Sequence, residues 1–368
     1  MPGSILGNAV RRVEDPELLA GRATYVGDLR VEGMLHVQFV RSPVAHAAVT
    51  SIDTSAASAM PGVVAVYTAA DLDLQPMSAM FELHPACARP PLAADRVRFV
   101  GDIVAAVVAE TPAQAEDAIE AVEVDVDSLP AVVDAEPAVA PGAPVLFDEL
   151  GSNLIGGLRD DDDPLGDANV VVRGRFVNQR VAVAPIEGNA IAVVPPTSAE
   201  PRWTAYVATQ MPHHVREDAC ALLALDPGDL RVIAPHVGGA FGGKAGVSVE
   251  HAITLAAARR LGRPLTWIEG RGESLVACGT PAGRSSGPSS AYGGTGPSPG
   301  SAAACSATAA PMAGSAERSS RADLPDARRR LPDPRPRRRR RHRRHQHHTH
   351  GRRPGRRPSR GGRADRAS

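Results

Sequence analysis

The run Gly238-Gly239-Ala240-Phe241-Gly242-Gly243-Lys244 places four glycines in seven residues. Glycine has no Cβ and reaches positive φ, so such a loop lets backbone N–H groups approach a ligand closely. The chemistry this favours is anion or cofactor binding, with the start of the following helix as a further source of unpaired N–H groups. Two nucleotide readings fail on residue type. Gly238 to Lys244 fits the spacing G-x-x-x-x-G-K, but that loop needs Ser or Thr next to hold Mg²⁺, and Ala245 stands there. No G-x-G-x-x-G occurs here, so the dinucleotide fingerprint is absent as well. A tight strand-to-helix turn would use the same glycines and bind nothing. Upstream, Thr209-Gln210-Met211-Pro212-His213 offers a neutral amide, Gln210, that can donate a hydrogen bond without adding charge. A lone glutamine is ordinarily a surface or cap residue. His213, His214 and His236 lack the spacing of a helical ligand pair and an evident carboxylate partner, so exposed or capping roles are expected. The four cysteines, Cys87, Cys220, Cys278 and Cys305, are far apart and give no metal or disulfide pattern.

The elements that must position these residues read as α/β. Leu35–Arg41, Val63–Tyr67 and Ile103–Ala109 are strand-like runs rich in branched residues. Thr111 is a good N-cap with Pro112 at the first helical position, which predicts a helix over Ala113–Val122 and a strand from Val124. Strand–helix–strand over residues 1–130 is a compact α/β unit. Residues 131–167 read as a linker, broken by Pro137, Pro141, Pro144 and Pro164, with an acidic turn at Asp160–Asp163. In a second unit, residues 168–277, strands are expected at Asn169–Val177, Ala190–Val194, Trp203–Thr209 and Leu230–Ala234. Pro212 opens a helix to about Leu225 with Val215, Ala219, Leu222 and Leu223 on one face. Val249–Leu261 is a helix closed by Gly262 and Pro264.

The net charge of zero conceals two opposite parts. Residues 1–277 hold 20 basic and 36 acidic side chains, and residues 278–368 hold 21 and 5. The second part is Gly, Ser, Ala, Pro and Arg, with Tyr292 its one aromatic residue. It cannot bury enough apolar surface to offset the entropy of ordering, so a disordered, Arg-rich tail is expected from 278 to 368. Arg337–Arg341 would bind phosphates with strong salt dependence and no sequence preference. No specific nucleic-acid partner is expected, since nothing in the head reads as a nucleic-acid module. Met1-Pro2-Gly3-Ser4 lacks the basic start of a signal peptide, and no run approaches the roughly 20 apolar residues of a membrane span. A cytoplasmic head without a membrane span is the expectation.

Longer phrases point further. Gly21-Arg22-Ala23-Thr24-Tyr25, Gly33-Met34-Leu35-His36, Arg41-Ser42-Pro43-Val44-Ala45-His46-Ala47, Pro61-Gly62-Val63-Val64-Ala65-Val66 and Val100-Gly101-Asp102 join the TQxPH phrase and the GGAFGGK loop in order. From about Gly7 to Ala277 the chain resembles the molybdenum-cofactor subunits of the xanthine dehydrogenase, aldehyde oxidase and aerobic carbon monoxide dehydrogenase group. The loop of that family reads GGGFGGK, and this chain departs from it at Ala240.

The resemblance implies a hammerhead-like α/β domain followed by the first part of a molybdenum-cofactor-binding domain. It implies that Gln210 lies beside the metal and that Gly239, Ala240, Phe241, Gly242 and Gly243 contact the cofactor, with Phe241 shielding the metal from water. It implies molybdopterin in the cytosine dinucleotide form, a small-molecule substrate oxidised with oxygen from water, and an iron–sulfur small subunit and an FAD medium subunit as partners. Glu187, in the phrase Pro185-Ile186-Glu187, is expected to be structural or near the substrate channel, and Lys244 carries no catalytic role. Purine-oxidising members have an acid after this lysine, so Ala245 argues against a purine. The family's general base, a glutamate near the far C-terminus, has no counterpart here, so no catalytic residue is assigned and the chain is expected to be inactive. The break at Cys278 and the tail's exclusive use of arginine over lysine suit a GC-rich gene read out of frame. A fragment that keeps subunit contacts without catalysis is one alternative, and an Arg-rich nucleic-acid-binding tail on an inert domain is the other.

Overall fold

The computed structural model describes residues 7, 9–77, 85–154, 172–176, 182–277, 290–294 and 304–305, all within the unit spanning residues 1–317. The strands are β1 (Leu35–Arg41), β2 (Ala47–Asp53), β3 (Val63–Tyr67), β4 (Arg96–Val97), β5 (Ile103–Ala109), β6 (Glu123–Ser128), β7 (Val172–Phe176), β8 (Ala190–Val194), β9 (Trp203–Val207), β10 (Leu230–Ile233), β11 (Leu265–Ile268), β12 (Ser290–Gly294) and β13 (Ala304–Cys305). The helices are α1 (Asp15–Leu19), α2 (Ser55–Ser58), α3 (Pro112–Ile119), α4 (Ala135–Ala138), α5 (Pro212–Leu222), α6 (Val249–Leu261) and α7 (Arg271–Val276). None of the described helices is long and apolar enough to cross a membrane.

One seven-stranded sheet, in the order β10-β9-β8-β11-β1-β5-β3, runs through both the N-terminal and the C-terminal parts. The join is β11, which lies parallel to β1 (Leu35 opposite Leu265) and antiparallel to β8 (Leu265 opposite Val193). Every residue of β5 is buried, as its continuous apolar sequence requires of a central strand. The main core packs Leu35, Val37, Phe39, Ile191, Val193, Leu230, Ile253, Leu255, Leu265 and Trp267 together. A three-stranded sheet, β4-β2-β6, flanks it.

The helix signals act as read. Thr111 accepts from the Gln114 backbone N–H at the start of α3, and Gly262 closes α6 in the left-handed conformation at φ 63°. Two ends differ: α3 stops at Ile119, and α5 stops at Leu222, where Ala224 turns the chain at φ 49°. The segment expected as a linker is anchored over its described part. Asn153, buried, donates from Nδ2 to Ala138 O at 2.9 Å and Pro144 O at 2.7 Å, and accepts from Leu146 N at 3.0 Å. Most of the described residues of this segment are exposed, with Ala138, Leu146 and Asn153 buried; the acidic turn at 160–163 lies outside the described residues. The expected disordered tail from 278 lies outside the described residues except at Ser290–Gly294 and Ala304–Cys305. These two short stretches pair in the order β13-β12-β7, because backbone pairing needs no apolar side chains.

Candidate functional site

The glycine loop joins β10 to α6. Its backbone turns through the left-handed region at Gly239 (φ 97°), Phe241 (φ 50°) and Gly242 (φ 83°). For Phe241 this is an uncommon conformation. A methyl group at Gly243 would come within 2.5 Å of Val183 Cγ2, and one at Gly239 within 2.9 Å of Phe241 Cε2, so these glycines permit close packing. Gly243 N donates to Ala240 O at 2.8 Å and closes a tight turn. The N–H groups of Gly239, Ala240, Phe241 and Gly242 have no hydrogen-bond acceptor among the described residues. Consecutive free amides on a curved backbone are an anion-binding surface.

The helix start does not add to that surface, which corrects the expectation. Ser248 Oγ accepts from His251 N at 3.3 Å, while Ser248 N donates to His251 Nδ1 at 3.2 Å. This reciprocal cap occupies the amides of Ser248 and His251, and the first turn is itself buried. Burial pulls the His251 imidazole down to about 4, with Lys244 adding to the fall and Glu250 opposing it.

Lys244 settles the phosphate-loop reading against itself. Its side chain is 1% exposed and turns inward, and its ammonium lies 2.9 Å from Glu187 Oε2. Burial lowers its affinity for the proton and Glu187 works the other way. A lysine held so cannot reach a ligand on the outer side of the loop.

The TQxPH phrase is tied to the same place. Thr209 Oγ1 donates to Lys244 O at 3.0 Å, and Gln210 N donates to the same carbonyl at 3.1 Å. Met211 N donates to Thr209 Oγ1 at 3.0 Å. Gln210 is exposed at this junction, and Phe241 is 75% exposed, which rules out core packing as its role here. The structure therefore brings together Gln210, Gly239, Ala240, Phe241, Gly242 and Gly243. His213 and His214 are exposed, and His236 bridges to the N-terminal segment, accepting from Thr24 N at 3.2 Å. Among the described residues no group of His, Cys, Asp and Glu could hold a metal ion. A cavity of about 270 Å³ opens elsewhere, beside Asp71, Leu223 and Arg260 at the C-terminal end of α6.

Sequence reasoning missed the Glu187–Lys244 pair, whose partners stand far apart in the chain. The one available signal was that Lys244 is the only lysine present. It also missed a buried cluster behind the loop, in which Arg41 donates to Glu250 Oε1 at 2.9 Å, to Glu273 Oε1 at 3.0 Å and to Gly101 O at 3.0 Å.

Comparison with known proteins gives matches over the same span. Residues 20–130 match the model for the aldehyde oxidase and xanthine dehydrogenase a/b hammerhead domain, and residues 147–285 match the molybdopterin cofactor-binding domain. The chain is 39% identical over 284 residues to the nicotine 6-hydroxylase large subunit of Paenarthrobacter nicotinovorans, covering 74% of this chain and 34% of that one. It is 35% identical to the carbon monoxide dehydrogenase large chain of Hydrogenophaga pseudoflava, covering 71% and 34%. The reconstituted CO dehydrogenase from Oligotropha carboxidovorans superposes with a TM-score of 0.67 at 35% identity, covering 73% of this chain and 35% of that one. The chain thus spans about a third of the length of these relatives.

Proposed function

We propose, for a chain that belongs to the family of large molybdopterin subunits of xanthine dehydrogenase, aldehyde oxidase and carbon monoxide dehydrogenase, that Gln210 and residues 239–243 form one wall of a molybdenum-cofactor cleft. The observation that carries this is the row of four free amides at Gly239–Gly242, fixed beside Gln210 through the shared carbonyl of Lys244. The donor set fits the group. The cofactor is anionic and oxygen-rich, and the wall offers neutral N–H donors with no side-chain cation among them. When bound, the cofactor supplies a two-electron redox centre for oxidation with oxygen from water. Gln210 would donate from its amide to an oxygen on that centre. Phe241, held outward by its backbone, would exclude water from one side. The glycines let the main chain come within hydrogen-bond reach.

The finer reading follows the same line. The cofactor form is the cytosine dinucleotide, iron–sulfur and FAD subunits are the partners in the cytoplasm, and the substrate is a small molecule other than a purine. The chain is expected to bind the cofactor weakly and to turn nothing over, because no residue of its sequence is assigned as the general base. The break in composition at Cys278 favours a gene read out of frame over a dedicated binding fragment.

The test is pterin and molybdenum content of the purified full chain after cofactor loading, with turnover assayed alongside. The expected result is substoichiometric pterin, lost in Gly242→Val, and no turnover. Absence of pterin retention under every loading condition contradicts the cleft, and measurable turnover contradicts the inactive fragment. Co-purification with iron–sulfur or flavin subunits in the absence of any pterin would favour the non-catalytic alternative.

A further inference from the structure

We propose that Glu187 is the positioning residue of the glycine loop, tying the loop's first amide to its last side chain through one carboxylate oxygen and so setting the arc of free amides between them. Glu187 Oε2 accepts from Gly238 N at 2.7 Å and from Lys244 Nζ at 2.9 Å. Glu187 N donates back to Gly238 O at 3.3 Å. The two donors to Oε2 bracket the five residues that form the wall, so one oxygen holds both ends of the arc. Gly238 must be glycine for this, since a methyl there would stand 2.6 Å from Glu187 Cβ.

Glu187 is itself held from both sides. Arg271 donates to the carbonyl oxygens of Pro185 and Ile186, the second at 3.1 Å. Two residues on, Asn189 N donates to Glu269 Oε2 at 2.8 Å, and Glu269 N donates to Asn189 O at 2.9 Å. The other oxygen, Oε1, is buried without a hydrogen-bond partner among the described residues, so the carboxylate is committed through Oε2. Lys244 has Glu187 as its hydrogen-bonded counter-ion, and the pairing draws the ammonium away from the outer side of the loop. The loop is left to present N–H groups without a competing side-chain charge. The consequence for cofactor binding rests on the reading above; the shape of the loop does not.

Amide hydrogen exchange on the full chain without cofactor, read residue by residue, separates the two. Glu187→Ala removes both acceptor contacts. Glu187→Gln keeps an acceptor for Gly238 N but removes the charge, and Glu187→Gln with Lys244→Met makes the pair neutral. In Glu187→Ala, exchange at Gly238 and Gly243 should rise about tenfold or more beyond the change at β5 and α6 amides. The single Gln variant should be intermediate, and the neutral double variant should move back toward wild type. Pterin retention should fall in the same order. Loop exchange as in the wild type, or an equal rise in loop and core, overturns the proposal, because a residue that only adds stability would move both alike. If Glu187→Ala does not fold, the Gln and double variants give the same reading. If the wild type retains no pterin while the exchange pattern holds, the cofactor reading has failed and the positioning stands.

Discussion

At the scale of single residues, burial decides what titrates. His251 is 3% exposed and accepts a hydrogen bond at Nδ1, so its proton sits on Nε2 and the ring is neutral in the folded chain. Its folded value of about 4 lies below the ordinary 6.5. Protonation therefore favours the unfolded chain. The stabilising contribution is complete above about pH 6.5 and is lost as the pH falls toward 4, amounting to roughly 3 kcal/mol. His251→Gln keeps an acceptor at the third helical position, as in a Ser-x-x-Gln capping box. Urea unfolding at pH 7 and pH 4.5 should show a smaller loss of stability in the variant than in the wild type. Equal losses would place the acid sensitivity elsewhere. The residue types of the loop were legible in the sequence because glycine, Phe241 and Ala245 each permit or forbid a specific contact. The direction of Lys244 was not, since it depends on Glu187, which reaches it through the fold.

At the scale of elements, β11 and the Arg41 cluster join the N-terminal part to the C-terminal one. Leu265–Ile268 is a four-residue run after Pro264, too short to announce itself as the central link between two strand sets. Trp267 fills the core behind it at 1% exposed, edge-on to Phe39 with ring centroids 5.6 Å apart. Arg41 closes the same junction from β1. Desolvation opposes its charge, yet Glu250 and Glu273 hold its guanidinium above the usual value. Burial pushes the Glu273 carboxyl up, with Arg41 pulling it back. Arg41→Met would leave two carboxylates buried without this partner. A loss of about 3–5 kcal/mol is expected in urea unfolding at pH 7, on the scale of a broken buried ion pair. Because Glu273 binds its proton more tightly in the folded chain, the variant's deficit relative to the wild type should shrink as the pH falls toward 5. A loss below about 1 kcal/mol would mean the cluster is merely tolerated. Strands and capped helices were readable from branched runs, Thr111, Pro212 and Gly262. The junction was not, because a parallel pairing of residues 35 and 265 leaves no local mark.

At the scale of the whole chain, 74% of the sequence matches about a third of a longer relative. In the proposed reading the chain supplies the amide wall and Gln210 but no assigned base, so binding without turnover is the expected outcome. Translating all three frames of the gene across codons 260–368 should give, in one shifted frame, a continuation with the regular apolar patterning of a folded domain. Early stops in both shifted frames would make the arginine-rich tail genuine coding sequence. The proposed cofactor wall is the row of amides at Gly239–Gly242, which have no acceptor among the described residues. The measurement that tests it most directly is the shift of backbone amide resonances in the full chain when molybdenum cofactor is added. The account predicts that Gly239, Ala240, Phe241 and Gly242 shift together with the Gln210 side-chain amide, and that the exposed His213 and His214 amides on α5 do not. Binding that leaves those four amides unmoved would contradict it.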